Sequence, residues 1–480
     1  TPTFDMIARS CALAGGEVKT CPWEAGAFPA SEFIQRIDDD VALISLVTPN
    51  NPTGLAIDRD TLMDVVRCAQ RHGALAMLDL AYTEFADDDP TQAMIGEPNV
   101  VLVRTFSKAF GLAGLRIGYA IAPPAIAHAL RVVGGPFPVS GPSIALAQAA
   151  MDTGLPDADA IDCIRTHRDQ LIATLSNLAF VCPRSEANFA FVRPRIAGED
   201  DRQSGEERSA WLTDGLASLG VGVRSFASRP ELADAVRITI PEQVGDFERL
   251  THGIQATIDP DALLLDMDGV LADVSQSYRR CIIETAQQFG VTLSREEIAD
   301  AKAAGNANND WMLTQRLLEE HGVGVGLNDV TARFQQIYLG SDRVPGLRCV
   351  ETLIPPKSLI EDLAAKCSLG IVTGRPRPEA EAFLVSHGLR DCFKHLTCME
   401  DACAQPSPDT VLHAMQAMSA RQAWLVGDTP DDVRAARAAR VVPLGVVAPG
   451  DVRTQSRQAL QDAGVARILS TLTDLLELLP

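Results

Sequence analysis

The chain has 480 residues, of which 46% are hydrophobic and 22% are charged. This composition is typical of a globular protein, and the length predicts two or three domains rather than one core. Acidic residues outnumber basic ones by 63 to 42, so the formal net charge is −21 at pH 7. A protein this acidic is a poor candidate for binding nucleic acid.

The apolar runs and the cysteines both bear on where the protein works. No apolar run approaches the ~18 residues of a membrane-spanning helix, so we expect no membrane insertion. The eleven cysteines are scattered, odd in number and without CxxC pairs. This usage is typical of free thiols in a reducing compartment and indicates a cytoplasmic protein.

Residues 1–150 alternate apolar runs with helix-like segments, which is typical of a mostly parallel sheet flanked by helices. Three of the apolar runs are each followed at once by a polar motif. These motifs are TPNNPTG at 48–54, DLAYTEF at 79–85 and TFSKAFGLAGLRIGY at 105–119.

Lys108 stands out because it lies in a Ser/Gly-rich loop shortly after a predicted buried strand. Thr105 and Ser107 offer hydroxyls to phosphate oxygens, and Arg116 can pair with the same oxygens bidentately. This setting suits a lysine that forms a Schiff base beside a phosphate group. A solvated loop lysine is the alternative interpretation, and the two upstream motifs argue against it.

The three motifs, in this order, resemble those of the fold-type-I, pyridoxal-phosphate-dependent aminotransferases, most closely the histidinol-phosphate aminotransferase family. The resemblance implies a large parallel-sheet domain, a small α/β domain, and pyridoxal 5'-phosphate attached to Lys108. Asn51 and Tyr82 would hydrogen-bond the phenolic oxygen of the cofactor, and Asp79 would pair with its pyridinium nitrogen. A carboxylate there keeps the ring protonated as an electron sink, and Lys108, once displaced by substrate, would move the Cα proton.

The resemblance also bears on the start of the chain. TPTFDMIARS opens without methionine, inside what corresponds to the middle of the large domain. Members of the family carry, ahead of this point, a glycine-rich helix start that holds the cofactor phosphate and an aromatic residue that stacks on its ring. We therefore expect either a fragment or a chain that cannot bind the cofactor as its relatives do.

The small domain is predicted over residues 151–257, after the large domain of residues 1–150. A polar-faced helix at 157–177 leads into it, and we interpret His167 on that helix as a surface or packing histidine. The other predicted segments are strands at 185–193, 221–226 and 236–240, a helix at 241–258 and a charged, solvated loop at 198–208. By the resemblance, Arg224 and Arg237 would grip the anionic end of the substrate. A surface salt bridge is the alternative for each arginine.

A short linker at 258–261 leads into a third domain, predicted over 258–480. The segment DALLLDMDGVLADVS at 261–275 is a buried strand that runs into Asp266 and Asp268. It resembles the first motif of the haloacid dehalogenase superfamily, whose members are mostly phosphatases. The resemblance implies that Asp266 is the nucleophile that takes the phosphoryl group and that Asp268 is the general acid and base. Two carboxylates at one strand end would divide the work, one for attack and one for proton transfer.

Two later segments extend this resemblance. SLGIVTGRPR at 368–377 matches the second motif, in which Thr373 would hold a phosphoryl oxygen. AWLVGDTPDD at 423–432 matches the fourth motif, which supplies Asp428 and Asp432 as magnesium carboxylates.

The implied fold is a Rossmann-like α/β domain, with the helical stretch at 277–346 as a cap that closes over the site and selects substrate. Mg²⁺ is needed because carboxylates and a phosphate dianion otherwise repel each other. The predicted metal residues are Asp266, Asp268, Asp428 and Asp432.

The third motif departs from the family, which places a lysine before Pro-x-Pro. Here AQPSPD at 404–409 puts Gln405 in that place, where it donates a hydrogen bond to substrate but brings no charge. Losing one oxyanion-stabilising group costs ~3 kcal/mol of transition-state stabilisation. Lys394 lies nearby in sequence and is a candidate substitute.

These resemblances favour a fusion enzyme of histidine biosynthesis. The first part would interconvert imidazole-acetol phosphate and histidinol phosphate, with glutamate and 2-oxoglutarate as the amino pair, and the second would hydrolyse histidinol phosphate. One rival keeps both folds but assigns another amino acid and an unrelated phosphate ester. The other makes the second domain a binding or structural module, because of Gln405. A homodimer is expected, since fold-type-I aminotransferases usually build their sites across a two-fold axis.

Overall fold

A computed structural model of the chain describes residues 1–195 and 202–480. The helices are α1 (Asp5–Leu13), α2 (Ala30–Ile34), α3 (Arg59–Arg71), α4 (Thr91–Met94), α5 (Pro124–Val133), α6 (Gly141–Asp152), α7 (Ala158–Asn177), α8 (Arg202–Ser218), α9 (Val244–Ile258), α10 (Tyr278–Gln288), α11 (Arg295–Ala304), α12 (Asp310–Glu320), α13 (Leu327–Leu339), α14 (Lys357–Lys366), α15 (Arg377–Ser386), α16 (Asp409–Met418), α17 (Pro430–Ala438), α18 (Arg453–Ala463) and α19 (Leu475–Leu478). The strands are β1 (Leu43–Val47), β2 (Leu75–Asp79), β3 (Val100–Thr105), β4 (Gly118–Ile121), β5 (Phe180–Val181), β6 (Phe189–Pro194), β7 (Arg224–Ser225), β8 (Val236–Thr239), β9 (Ala262–Leu265), β10 (Ala272–Asp273), β11 (Gly340–Ser341), β12 (Val344–Pro345), β13 (Thr352–Leu353), β14 (Ser368–Val372), β15 (Phe393–Thr397), β16 (Ala423–Gly427), β17 (Val442–Gly445) and β18 (Arg467–Ile468). Over the described residues, none of the helices has the length and apolar character needed to cross a bilayer.

The chain divides into two compact units. The first consists of Thr1–Ser209 and Val223–Arg249, and the second of Ala210–Gly222 and Leu250–Pro480. The change from one unit to the other thus falls inside α9, eight residues before the predicted end of the small domain at residue 257. The division of the first unit into a large and a small domain stays a prediction.

The first sheet of unit 1 has the strand order β1–β2–β3–β4, with the first three strands parallel and β4 antiparallel to β3. Helix α3 begins after Asp58, whose side chain accepts a hydrogen bond from the Thr61 N–H, and buries Leu62 and Val65 in the core beside the sheet. Parallel strands end at one common edge of a sheet, so the motifs that follow β1, β2 and β3 meet there.

The second sheet of unit 1 is antiparallel, in the order β5–β6–β8–β7. It places Arg224 on β7 directly opposite Arg237 on β8. The strand predicted at 185–193 begins only at Phe189, because Ser185 turns its hydroxyl back to the Phe189 carbonyl. The strand predicted at 221–226 is only two residues long.

The prediction of a packing histidine on α7 is confirmed. His167 is buried, its ring stacks on Phe247 with 4.1 Å between centroids, and its Nδ1 lies 2.9 Å from the Pro241 carbonyl oxygen.

The charged loop predicted at 198–208 is wrong from Arg202 onward, where the chain is helix α8. The part of that prediction at 198–201 lies outside the described residues. Helix α8 forms because Trp211 and Leu212 bury an apolar stripe, which the charged and polar residues before them concealed in the sequence.

Unit 2 is built on a parallel sheet in the order β15–β14–β9–β16–β17–β18. Strand β9 lies between β14 and β16, and every residue of β9 and β16 is buried. Asp266, Thr373 and Asp428 each follow the last residue of one of these three strands, so they meet at the carboxyl edge of the sheet. This is the predicted Rossmann-like α/β architecture.

Residues 277–346, predicted as a helical cap, form helices α10 to α13 and the hairpin of β11 and β12. Helix α11 begins with a capping box in which the Ser294 and Glu297 side chains bond to each other's backbone N–H groups. Helices α10, α12 and α13 pack together through buried residues such as Ile282, Leu317 and Phe334. These elements carry side chains to the carboxyl edge of the sheet.

Two candidate active sites

The first candidate site surrounds Lys108, in the loop after β3. The Lys108 Nζ lies 5.0 Å from the centre of the Tyr82 ring, which is buried and packs edge-on against Phe189. Asp79 ends β2, and its carboxylate accepts a hydrogen bond of 3.1 Å from the Ala81 N–H. Burial raises the pKa of Asp79, while that hydrogen bond and the charge of Lys108 act in the opposite direction. The structure therefore brings together three residues that the sequence assigned to one site.

Arg237 joins the same site from the second sheet of unit 1. Its Nη1 donates a hydrogen bond of 2.6 Å to Asn51 Oδ1, and its guanidinium lies 5.0 Å from the Phe189 ring centre. Burial lowers the pKa of Arg237. The nearby Tyr82 acts to raise this pKa, and the charge of Arg224 acts to lower it further. The Arg237 Nε is buried without a hydrogen-bond partner among the described residues. The guanidinium thus keeps a free donor for an anion. Among the described residues it pairs with no carboxylate, so the alternative interpretation of Arg237 as part of a surface salt bridge does not hold.

The predicted phosphate-binding residues are less well assembled. The Thr105 Oγ1 accepts a hydrogen bond of 3.0 Å from the Ser107 N–H. Arg116 is exposed, has a left-handed backbone with φ 50°, and donates from Nη1 to the Ala113 carbonyl at 2.9 Å. Its part in phosphate binding stays a prediction. The residues present fit the ring of a pyridoxal cofactor better than its phosphate.

Two arginines on α7 that sequence reasoning missed hold the turn after Tyr82. Arg165 donates hydrogen bonds to the carbonyls of Glu84, Phe85 and Ala86. Arg168, which is buried, donates to the carbonyls of Phe85 and Ala187. The sequence signal was a pair of arginines three residues apart on a helix, although such a pair usually faces solvent.

The second candidate site is a group of three carboxylates at the carboxyl edge of the sheet in unit 2. Asp266, Asp428 and Asp432 are buried, and one ligand oxygen from each lies within 4.8 Å of the others. Burial, then the charges of Asp432, Asp428 and Asp268, raise the pKa of Asp266 well above its usual value. Burial and the charge of Asp432 raise the pKa of Asp428 to about 7. Converging buried carboxylates are the donor set that Mg²⁺ takes.

The Asp268 carboxylate lies outside this group of three, and its place among the metal ligands stays a prediction. It accepts a hydrogen bond of 2.6 Å from the Nε of Arg375, a residue that is only 1% exposed. The other side of the same guanidinium pairs with Glu351 at 2.9 and 3.2 Å and bonds the Tyr338 hydroxyl. Burial raises the pKa of Asp268 and Arg375 opposes it, so a carboxyl able to carry a proton is held in a fixed orientation. Sequence reasoning did not assign Arg375, although it stands two residues after Thr373.

Asn308, also missed from the sequence, brings the cap onto the site. Its Nδ2 donates to the Gln405 Oε1 and, at 3.1 Å, to Asp432 Oδ1, while its Oδ1 accepts from the Thr429 hydroxyl. Its carbonyl oxygen lies so close to Gly374 that a Cβ there would come within 2.4 Å, so the close approach requires glycine. The motif TGR thus permits this contact between the cap and the sheet.

Gln405 and Thr373 lie at this site, whereas Lys394 does not. Thr373 is buried, and its hydroxyl accepts from the Arg375 N–H at 3.2 Å. The Gln405 Nε2 is buried without a hydrogen-bond partner among the described residues. Lys394 is exposed and donates to Ser368, the first residue of β14, so it lies at the strand end remote from Thr373. Lys394 as a substitute for the absent lysine was therefore wrong.

A pocket opens beside Asp268. Cap residues and residues that follow the sheet strands line it together. They are Asp268, Tyr278, Asn308, Asn309, Asp310, Trp311, Gly374, Arg375, Pro376 and Met399. The pocket is small, part aromatic and part polar.

Comparison with known proteins finds one family in each half of the chain. The family model "Aminotransferase class I and II" matches residues 1–245, and "Haloacid dehalogenase-like hydrolase" matches residues 263–446. A Phytophthora nicotianae protein named imidazoleglycerol-phosphate dehydratase is 44% identical over 43% of this chain and 48% of its own length. An aromatic amino acid aminotransferase of Mycobacterium marinum is 32% identical over 50% of this chain and 64% of its own. Histidinol-phosphate aminotransferase 2 of Oceanobacillus iheyensis is 35% identical over 42% of this chain and 56% of its own length.

The chain thus spans about half to two thirds of the length of these curated relatives. The first family model covers half of the chain, and its match ends near the boundary between the two units. The chain belongs to the class I and II aminotransferase family, and it continues into a haloacid dehalogenase-like hydrolase domain.

Proposed function

We propose that the chain is a bifunctional enzyme of histidine biosynthesis, which transaminates at the histidinol-phosphate step and then hydrolyses histidinol phosphate. The observation that carries the proposal is the pairing, on one chain, of an aminotransferase site with a carboxylate site suited to phosphomonoesters. A product of the first reaction is a phosphomonoester, so it is a substrate for chemistry of the second kind. The names of the relatives, one a histidinol-phosphate aminotransferase and one an imidazoleglycerol-phosphate dehydratase, support the same pathway.

In the first reaction, pyridoxal 5'-phosphate would supply an aldehyde and an electron-accepting ring when bound at Lys108. Asp79 would keep the ring nitrogen protonated, and Asn51 and Tyr82 would orient the phenolic oxygen. The Lys108 amine would move a proton at the substrate Cα. Arg237, with a free buried Nε, would bind the anionic end of the substrate.

In the second reaction, an Asp266 oxygen would attack phosphorus and form an aspartyl phosphate while the ester P–O bond breaks. Asp268 would donate a proton to the leaving alkoxide, take one from the incoming water, and so release inorganic phosphate and free Asp266. Mg²⁺ on Asp266, Asp428 and Asp432 would reduce the repulsion between carboxylate and phosphate. Arg375 would keep Asp268 pointed at the leaving oxygen.

The pocket beside Asp268 supports a small leaving group. Its lining is part aromatic and part polar, which suits an alcohol that carries a ring and polar groups. Trp311 and Tyr278 offer aromatic faces to an imidazole ring, and the amide of Asn309 and the carboxylate of Asp310 offer polar contacts to its nitrogens or to the substrate ammonium.

The test is magnesium-dependent phosphate release from L-histidinol phosphate by this chain, with Asp266→Asn as the blank. Release that disappears in the variant supports the proposal. Hydrolysis of p-nitrophenyl phosphate without hydrolysis of histidinol phosphate would assign the domain to another ester. No release from either compound would favour a binding or structural module.

The name of the Mycobacterium marinum relative favours one specific alternative, an aminotransferase for aromatic amino acids joined to a phosphatase of unrelated substrate. Growth of cells that lack histidinol-phosphate phosphatase separates the two proposals. Rescue by this chain supports the histidine pathway, and failure of a well-expressed chain supports the alternative.

We also propose a homodimer in which the surface of α5 and α6 is buried between copies. Helix α5 has no buried residue, and Val132, Val133, Phe137 and Met151 are between 59% and 96% exposed. Apolar side chains grouped this way mark an interaction surface. Light scattering should give twice the chain mass, and Val133→Glu with Phe137→Glu should return it to the monomer value. A monomeric parent chain would contradict the dimer.

A further inference from the structure

The carboxylate site lacks the lysine that its family motif supplies, and two arginines of the same domain are already engaged. Arg375 is shared between Asp268 and Glu351. Arg434 pairs with Asp431 at 3.2 Å. Neither guanidinium is available to the phosphoryl group, so a positive charge has to come from elsewhere.

Arg279 on α10 of the cap has this charge and free donors. One side of its guanidinium forms an ion pair with Asp451, and its Nη2 lies 4.0 Å from the Asp428 Oδ2, beyond hydrogen-bond distance. The side chain is only 13% exposed. Both its Nε and its Nη2 are buried without a hydrogen-bond partner among the described residues. Buried guanidinium N–H groups without an acceptor are costly, so a ligand that accepts them is expected.

Gln405 offers a third buried donor, linked to Asp432 through Asn308. Its Oε1 is held by Asn308, which also bonds Asp432, and this leaves its buried Nε2 without an acceptor. Arg279 approaches the group beside Asp428 and Gln405 approaches it beside Asp432. Free donors therefore border the three carboxylates on two sides.

Lys302 on α11 adds a second cap cation nearby. Its Nζ lies 3.2 Å from the Oδ1 of Asp310, a residue that lines the pocket with Asp268. Burial lowers the pKa of Lys302, but the charges of Asp310, Asp428 and Asp268 outweigh this effect and raise it. The ammonium thus stays charged close to the carboxylates and compensates for part of their charge.

We propose that Arg279 and Gln405 together bind the non-bridging oxygens of the transferring phosphoryl group and so divide the role of the absent lysine. Arg279 supplies the positive charge from the cap, and Gln405 supplies an uncharged hydrogen bond from the loop before α16. A guanidinium binds two phosphoryl oxygens with parallel N–H groups, which a lysine cannot do. Because Arg279 belongs to the cap, the phosphoryl site is complete only when the cap is seated on the sheet domain. The inference rests on the proposed phosphatase chemistry but not on histidinol phosphate as its substrate.

The experiment measures binding of orthovanadate, a phosphate-like anion without an ester group, to the Mg²⁺-loaded chain by calorimetry, together with hydrolysis of p-nitrophenyl phosphate. Arg279→Met should weaken vanadate binding roughly tenfold or more and lower kcat about a hundredfold. Arg279→Lys, which keeps the charge, should lose less of both. These probes do not depend on the natural ester, so failure with histidinol phosphate alone leaves the proposal standing.

Two further variants separate binding from a merely structural ion pair. Asp451→Asn removes the ion pair but leaves the Arg279 charge, and should change vanadate affinity and kcat less than about threefold. Gln405→Lys added to Arg279→Met should restore most of the lost activity, because a lysine again supplies the charge. The proposal is overturned if Asp451→Asn matches the loss in Arg279→Met, if Arg279→Met binds vanadate like the parent, or if Gln405→Lys restores nothing.

Discussion

The two sites of this chain are built in different ways. The carboxylate site is enclosed: Asp266, Thr373, Asp428 and Asp432 are buried at the end of adjacent parallel strands and helix α17. The Lys108 site is bounded by the buried Tyr82 and the half-buried Asp79, and it is open on the side of Arg116, which is exposed. Burial makes electrostatic effects large, so we expect the carboxylate site to dominate the pH and ion dependence of the protein.

The largest expected effects test whether the two sites work independently. Asp266→Asn should lower phosphate release by at least ~10⁴-fold and leave transamination unchanged, because it removes only the nucleophile of unit 2. Lys108→Ala should do the reverse and should also remove the visible absorbance of bound pyridoxal phosphate. A coupled assay with each single variant and their mixture measures this. Loss of both activities in either single variant would show that the sites depend on each other.

The next effect concerns the buried ion pair beside the carboxylates. Arg375→Met should destabilise unit 2 by about 3–5 kcal/mol, because it leaves the buried Glu351 side chain and the half-buried Asp268 carboxylate without their partner. Urea denaturation followed by tryptophan fluorescence measures the change. The matched control is Arg377→Met, two residues further on, whose side chain is 38% exposed and whose loss should cost about 1 kcal/mol or less. An equal decrease in the free energy of unfolding in both variants would contradict the prediction that the buried Arg375 contributes more to stability than Arg377.

Magnesium should stabilise unit 2 more at about pH 8 than at about pH 6. Burial and Asp432 raise the folded-state pKa of Asp428 to about 7, so the folded chain binds more protons than the unfolded chain below that pH. Without metal, stability should therefore fall as pH rises from roughly 4 to 7. Magnesium binds the deprotonated carboxylates and should restore about 2.7 kcal/mol at a hundredfold excess over Kd. Thermal melts with and without Mg²⁺ at both pH values measure this stabilisation, with Asp266→Asn as the control. An equal Mg²⁺-induced shift in melting temperature at each pH would contradict the prediction.

The carboxylate site was largely predictable from sequence because parallel strands end together. Asp266, Thr373 and Asp428 each follow an apolar run, and strand order alone brings them to one edge. Arg279 and Asn308 were not predictable, because Arg279 meets Asp428, and Asn308 meets Asp432, across more than 100 residues of chain. Nothing in local spacing specifies which cap side chain reaches the sheet. Lys394 failed for the same reason, since nearness in sequence placed it at the wrong end of a strand.

At the Lys108 site, too, a contact between residues distant in sequence was not predictable. The smallest of the predicted effects tests this contact. Arg168 is buried on α7, yet it bonds only backbone carbonyls and the exposed Asp169 among the described residues. Arg168→Met should destabilise unit 1 by about 1–3 kcal/mol, because the Phe85 and Ala187 carbonyls lose a buried donor. It should also weaken pyridoxal phosphate binding, since the turn after Tyr82 loosens.

The control for Arg168→Met is Arg165→Met, a change on the more exposed arginine that bonds carbonyls of the same turn. Water can replace many of the hydrogen bonds that Arg165 donates, so Arg165→Met should destabilise unit 1 less than Arg168→Met does. Hydrogen exchange of residues 82–86 measures how firmly the turn is held in each variant. If Arg165→Met loosens the turn as much as Arg168→Met does, burial is not what makes Arg168 the stronger support, and exposed bonds hold Tyr82 equally well.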